Sequence, residues 1–304
     1  MEKLKALLEL ARPLEWSKSL MNMVFGSFLA IYLANGAFVA AKFNIALFAL
    51  GAISVICLWS GLYALNDWTD HKKDRLHEVK HHRPIPSGRI SPATGLGFSI
   101  ILIIISFWLG AQVSQLFLFI LTAMLANQLL YTIPPIKLKE RPVLDLVSGS
   151  LVNPFFRFYA GWILFVPAFN APILYLVFIL GLQFGGYALY RLSSKSHEAR
   201  LGHKSSIVIF RENGIKAIAY LSMLCGGFAF LASALIPRIA PQLSWLGILP
   251  LRMAILFVAS IALAPFYWSA LKDPEGMDMK RVYRLLYLHL IGFLCGFIIL
   301  FAFF

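Results

Sequence analysis

Acidic residues are scarce in this chain: 14 Asp and Glu among 304 residues, against 27 Lys and Arg, with charged residues making up only 13% in all. A soluble domain carries about 25% charged residues, so a water-soluble fold of this length is excluded. Cysteine is nearly absent as well. Cys57, Cys225 and Cys295 all lie in apolar runs, where packing is the expected role, and neither a disulfide framework nor a thiolate metal site can be read from them. No small-residue cleavage site follows a short apolar core near the start, so no removable signal peptide is expected. There is no low-complexity tract and no soluble basic domain. The net charge of +13 therefore points away from nucleic acid and towards membrane lipids, because basic loops orient a membrane chain and contact anionic headgroups.

What is abundant is apolar sequence: 60% of residues, with a mean hydropathy of +0.76. Apolar runs of about 18 residues or more, long enough to cross a bilayer, recur at 18–35, 43–66, 93–112, 114–133, 143–167, 171–193, 216–236, 248–271 and 282–304. The expectation is an all-α, multi-pass membrane protein with nine transmembrane helices in a single domain over 1–304. The N-terminal segment and the loops after the even-numbered spans hold 23 of the 27 Lys and Arg. The positive-inside rule then puts the N-terminus in the cytoplasm and the C-terminus outside. The acids fall on the same side, which concentrates the polar chemistry at one membrane face. Two cytoplasmic loops are long, 67–92 and 194–215.

The first of these opens with Asn66-Asp67-Trp68-Thr69-Asp70-His71-Lys72-Lys73-Asp74. If the preceding helix runs on, Asn66, Asp70 and Asp74 fan over about 80° of arc and line one face at a membrane border. Hard oxygen ligands of this kind suit Mg²⁺, which keeps some waters and shares phosphate oxygens with a substrate. Arg83-Pro84-Ile85-Pro86-Ser87-Gly88-Arg89 must end that helix. The second loop carries Ser194-Lys195-Ser196-His197-Glu198, where Ser194 and Glu198 stand i, i+4. Lys195, Arg200 and Lys204 add cations that suit phosphate oxygens. After the fourth run, Tyr131 to Pro142 contains a helix-stopping Pro134-Pro135 followed by Lys137 and Lys139, placed to face the same polar cap. Arg157 is a charge inside a span, and such a residue faces an interior cavity or a partner; Asn127, Gln128, Asn153 and Gln183 are candidates to line the same interior.

With the nine spans, Asn66-Asp67-x-x-Asp70-x-x-x-Asp74 and Arg83-Pro84-Ile85-Pro86-Ser87-Gly88 resemble the UbiA superfamily of intramembrane prenyltransferases. Tyr131-x-x-Pro134-Pro135-x-x-Leu138-Lys139 resembles the same element in its chlorophyll-synthase, lycopene-elongase and archaeal-lipid branches. The resemblance covers essentially the whole chain. It implies a helical bundle around a central cavity, capped by cytoplasmic loops, with Mg²⁺ bridging the diphosphate of a polyprenyl donor. One departure stands out. The family's second acidic motif, Asp-x-x-x-Asp, reads Ser194-Lys195-Ser196-His197-Glu198 here, so one carboxylate has become a hydroxyl. The Asp74-Arg75-x-His77-x-x-Lys80-x-x-Arg83-Pro84-Ile85 run resembles instead the branch that moves phosphoribosyl from phosphoribosyl diphosphate to a polyprenyl phosphate.

The expected activity is Mg²⁺-dependent transfer of a prenyl group from an isoprenoid diphosphate to a lipophilic or aromatic acceptor. Metal ligands are expected at Asn66, Asp67, Asp70, Asp74 and Glu198. Catalytic roles fall to Asp70, Asp74, Lys139 and Arg157, and substrate contacts to Lys18, Asn66, Arg83, Tyr131, Lys137, Ser194, Lys195, Glu198 and Lys204. No obligatory protein partner is evident. Phosphoribosyl transfer and a non-catalytic membrane carrier or scaffold are the competing readings. A carrier should show discontinuous helices near the midplane, whereas the polar groups here gather at one face.

Overall fold

The computed structural model describes residues 2–76, 80–200, 202, 204–262 and 279–302. Among them there is no strand. The helices are α1 (Glu2–Ala11), α2 (Trp16–Asn35), α3 (Ile45–Asp74), α4 (Pro92–Ala111), α5 (Gln115–Thr132), α6 (Leu144–Val147), α7 (Asn153–Trp162), α8 (Ile173–Leu192), α9 (Lys195–Arg200), α10 (Ser206–Ile209), α11 (Glu212–Ile239), α12 (Ala254–Ala262) and α13 (Met279–Ala302). Six helical stretches among the described residues are long and apolar enough to cross a membrane: Glu2–Asn35, which joins α1 to α2, and α3, α4, α5, α8 and α11.

Three of the nine expected spans, 143–167, 248–271 and 282–304, are not among these six, although α13 covers most of the last. The run at 143–167 is helical from Leu144 to Trp162 but not uniformly α: α6 passes into a π-helical turn, Ser148–Val152, and then into α7. Pro154 has no amide hydrogen to give to Ser150, so a continuous α-helix loses a bond there, and the wider turn absorbs the break. The run at 248–271 starts helically only at Leu251, and its residues 263–278 lie outside the described part of the chain.

The chain forms two compact units. The first holds 1–31, 41–137 and 156–169. Its longest packed pair is α3 with α4. Gly61 of α3 meets α4 so closely that a Cβ would come within 2.9 Å of the Ser99 carbonyl. Across the same seam Ser99 Oγ donates to the Gly61 carbonyl at 2.7 Å and Ser54 Oγ to the Ser106 carbonyl at 2.8 Å. Small residues and cross-helix hydroxyls are how apolar helices associate where burial from water drives nothing. α2 packs on α7 by the same device, with Ser27 Oγ on the Gly161 carbonyl at 3.0 Å. α1 lies on the polar end of α3 and the following loop, and buries Ala6 and Leu10 among Ala64, Ile85 and Ile90.

The second unit holds 32–40, 138–155 and 170–304. There α8 and α11 run side by side, and Leu146, Ala188, Leu189, Leu192, Ile207, Ile215 and Ala219 form a buried apolar cluster at one end. The Tyr175 hydroxyl both donates to the Ile248 carbonyl, at 2.5 Å, and accepts from its amide, at 3.1 Å, which fixes the start of the eighth apolar run.

Candidate active site

Helix α3 runs unbroken from Ile45 to Asp74, so Asn66, Asp70 and Asp74 do share one helical face. Asn66 is held from α5: Gln128 Nε2 donates to Thr132 Oγ1 at 3.2 Å, and Thr132 Oγ1 donates to Asn66 Oδ1 at 3.2 Å. This relay identifies Oδ1 as the acceptor atom. Asp67 and Asp74 stand two turns apart, within about 20° of one another around the axis and about 10 Å along it. Their side chains converge on one guanidinium. Arg83 Nη1 donates to Asp67 Oδ1 at 2.9 Å and to Asp74 Oδ2 at 3.0 Å. Lys80 Nζ lies 3.8 Å from Asp74 Oδ1, and Arg12 Nη2 donates to Asp67 Oδ1 at 2.5 Å. Asp67 is only 1% exposed and Asp74 4%. The face thus has two edges. Asn66 and Asp70 form one, and Asp67 and Asp74, laced with arginine, form the other.

The remaining expected residues of the first unit take these places. Lys18, in the first turn of α2, pairs with Glu15 at 2.5 Å. Tyr131 sits at the end of α5, which stops at Thr132, and Lys137 follows in the left-handed region with φ 41°. Arg157 is buried in α7, with its guanidinium 3.7 Å from the centre of the Trp59 ring. A desolvated cation over indole is the favourable version of that contact, and it accounts for a charge within apolar helices.

In the second unit, Lys139 lies in the short 3₁₀ turn Leu138–Glu140. The degenerate motif forms a polar knot. Ser194 follows α8 and starts α9, its carbonyl accepting from the Glu198 amide at 2.9 Å. Glu198 Oε2 accepts from Arg191 Nη2 at 2.9 Å and from the Ser205 hydroxyl. The same Arg191 Nη2 lies 3.5 Å from Asp145 Oδ2, and Asp145, wholly buried, also accepts from the Ser206 amide at 3.1 Å and from its hydroxyl. Lys195 pairs with Glu212 at 3.8 Å, and Lys204 is exposed. Arg12, Asp145, Arg191, Ser205 and Ser206 are the polar residues that the sequence reading did not assign. Asp145 carried a legible signal, as the acid at the mouth of the apolar run 143–167.

As a donor set, Asn66, Asp70 and Asp74 are all hard oxygen. Among the described residues no group of three or more His, Cys, Asp or Glu could hold a metal ion by themselves. Oxygen donors of this kind suit Mg²⁺, which also draws on water and phosphate, rather than Zn²⁺.

These features define an all-helical, multi-pass membrane protein with an acidic and basic site at one helix end. The profile of the UbiA prenyltransferase family matches residues 23–291, and the chain belongs to that family: it is a transferase of the intramembrane prenyltransferase type. A protoheme IX farnesyltransferase of Archaeoglobus fulgidus is 27% identical over 292 residues, covering 94% of each chain. A decaprenyl-phosphate phosphoribosyltransferase of Mycolicibacterium smegmatis is 29% identical over 184 residues, covering 54% of this chain and 53% of that one. Among solved structures, a UbiA homologue from Archaeoglobus fulgidus bound to GPP and Mg²⁺ superposes with a TM-score of 0.75 at 19% identity, covering 96% of this chain and 98% of that one.

Proposed function

We propose that this chain moves a prenyl group from a polyprenyl diphosphate to a lipophilic acceptor in a Mg²⁺-dependent reaction. The observation that carries the reading is the unbroken run of α3 to Asp74, which sets Asn66, Asp70 and Asp74 on one face beside Arg83 and Lys80. Asn66, Asp70 and Asp74 would hold the metal, and the chemistry it would supply is neutralisation of charge on a leaving diphosphate. Lys18, Arg83, Lys137, Lys139 and Lys204 are the candidate cations for the phosphate oxygens, and Tyr131 is a candidate hydroxyl donor. Fixed donors aimed at the developing charge lower the barrier because they need no reorganisation during the reaction. Arg157 lines the cavity from α7. Apolar walls keep water from the allylic cation.

The second motif supports a one-metal version of this scheme. Glu198 spends its Oε2 on Arg191 and Ser205, and Ser194 brings no carboxylate, so Arg191 supplies the positive charge there. As a membrane protein the chain is read as one catalytic domain over 1–304 with nine spans, its N-terminus cytoplasmic and its C-terminus outside. Phosphoribosyl transfer to a polyprenyl phosphate is the second reading. It is favoured by the first-loop pattern, whose His77 lies outside the described residues, and by the similarity to a phosphoribosyltransferase over half the chain.

Release of pyrophosphate from purified protein given Mg²⁺, a polyprenyl diphosphate and a mixture of lipophilic acceptors tests the first reading. A parallel arm with phosphoribosyl diphosphate and polyprenyl phosphate tests the second. Turnover only in the second arm would overturn prenyl transfer.

A further inference from the structure

Asp67 is surrounded unlike a metal ligand. It is buried at the polar end of α3, and its Oδ1 already accepts from two guanidinium groups, Arg12 Nη2 at 2.5 Å and Arg83 Nη1 at 2.9 Å. A divalent cation brought to that oxygen would meet two fixed positive charges within about 5 Å, where repulsion in a poorly solvated site is strong. The two arginines arrive from distant segments. Arg83 comes from the loop after α3, and its Nη1 bridges Asp67 and Asp74; Asp74 takes that single guanidinium contact on Oδ2, with Lys80 Nζ 3.8 Å from its Oδ1, whereas Asp67 Oδ1 takes two. Arg12 comes from the end of α1, whose Ala6 and Leu10 are buried against Ala64, Ile85 and Ile90.

The backbone of Arg12 is left-handed, φ 52° and ψ 64°, between α1 and Pro13. A non-glycine residue holds that conformation only where its surroundings over-determine it. Here Tyr63 and Asp67, one turn apart on α3, form the seat: the guanidinium lies 5.0 Å from the Tyr63 ring centre and against the Asp67 carboxylate. Each arginine spends a single nitrogen on these carboxylates. The other N–H groups of both make no hydrogen bond among the described residues, and the two side chains keep 24% and 27% of their surface exposed. Forked donors held from behind and open in front are the arrangement that takes a phosphate group.

We propose that Asp67 is a positioning residue: it binds no metal, and it orients Arg12 and Arg83 so that their outward N–H groups meet the phosphate oxygens of the donor. The proposal rests on the diphosphate-donor reading given above, and reassigns one residue within it.

The test uses the full chain in lipid nanodiscs, with Mn²⁺ followed by electron paramagnetic resonance and inorganic pyrophosphate by calorimetry. Asp67→Asn is expected to keep its Mn²⁺ dissociation constant within twofold of the parent while pyrophosphate binds at least tenfold more weakly. Arg12→Ala should weaken pyrophosphate to a similar degree, and the double variant should lose little more, because Asp67 acts through the arginine. A tenfold weakening of Mn²⁺ in Asp67→Asn, or fully additive losses in the double variant, would overturn the proposal. Arg12→Lys keeps the charge and loses the fork. It covers the case where Asp67→Asn does not fold, and unchanged pyrophosphate affinity in it counts against the proposal. Asp70→Asn separates the two readings. If it leaves Mn²⁺ affinity intact, the metal assignment to α3 falls, while the pyrophosphate measurements still decide the role of Asp67.

Discussion

At the scale of single residues, the site is governed by which carboxylate is already occupied. Asp70→Ala or Asp74→Ala is expected to abolish Mg²⁺-dependent turnover, and near-full activity of either variant in the pyrophosphate-release assay would contradict the metal assignment. Glu198 should behave differently, because its carboxylate holds Arg191 and Ser205. Removing one partner from a largely buried charge pair costs about 3 kcal/mol or more. Glu198→Gln should therefore lower the unfolding temperature in detergent while leaving the Mg²⁺ concentration dependence of the reaction unchanged. A rise in the Mg²⁺ requirement would show that Glu198 is a ligand after all. The sequence placed Asn66, Asp70 and Asp74 on one face because that depends only on helical periodicity. The pairings of Asp67 with Arg12, 55 residues away, and of Asp145 with Ser206, 61 residues away, depend on how elements pack, and no local spacing encodes them.

At the scale of elements, helix association here rests on close backbone approach. Gly61→Val adds atoms at a point where even a Cβ would lie 2.9 Å from the Ser99 carbonyl and 3.0 Å from Ile103 Cγ1. The helices α3 and α4 must then separate, at a cost of about 1–3 kcal/mol, visible as a lowered thermal midpoint in detergent. The tie between α1 and the loop at Arg89 is of another kind. Glu9 and Arg89 make a forked pair at 2.6 and 2.8 Å, but both are exposed, and exposed pairs contribute at most about 1 kcal/mol. Glu9→Ala should leave the midpoint nearly unmoved, and a large drop would mean that α1 is held mainly by that pair and not by Ala6 and Leu10. Most element positions were legible from apolar run length, and the ends of α2, α4 and α5 fall within two residues of those expected. In the run at 143–167 hydropathy counts apolar residues and does not register the missing amide of Pro154, so the π-helical turn at Ser148–Val152 was not legible in the sequence.

At the scale of the whole molecule, charge distribution makes a prediction independent of the site. With Cys57, Cys225 and Cys295 replaced, single cysteines at exposed Lys204 and near Lys42 should be labelled from opposite sides of the membrane by an impermeant maleimide. Labelling from the same side would overturn the assigned orientation. Chelating divalent cations with EDTA should stop turnover, and Mg²⁺ should restore it. Activity that persists in EDTA would remove the metal from the mechanism.

The sequence by itself determined the membrane class, most of the spans, the polar face of α3 and the family, because hydrophobic length, periodicity and a contiguous motif are all local properties of a chain. Tertiary structure alone decided which acids are engaged. Asp67 is enclosed by arginines from the end of α1 and from the loop after α3, and Glu198 is tied with Asp145 to Arg191. Both follow from burial, which obliges each charge to find a partner, and the partner it finds is set by packing rather than by position along the sequence.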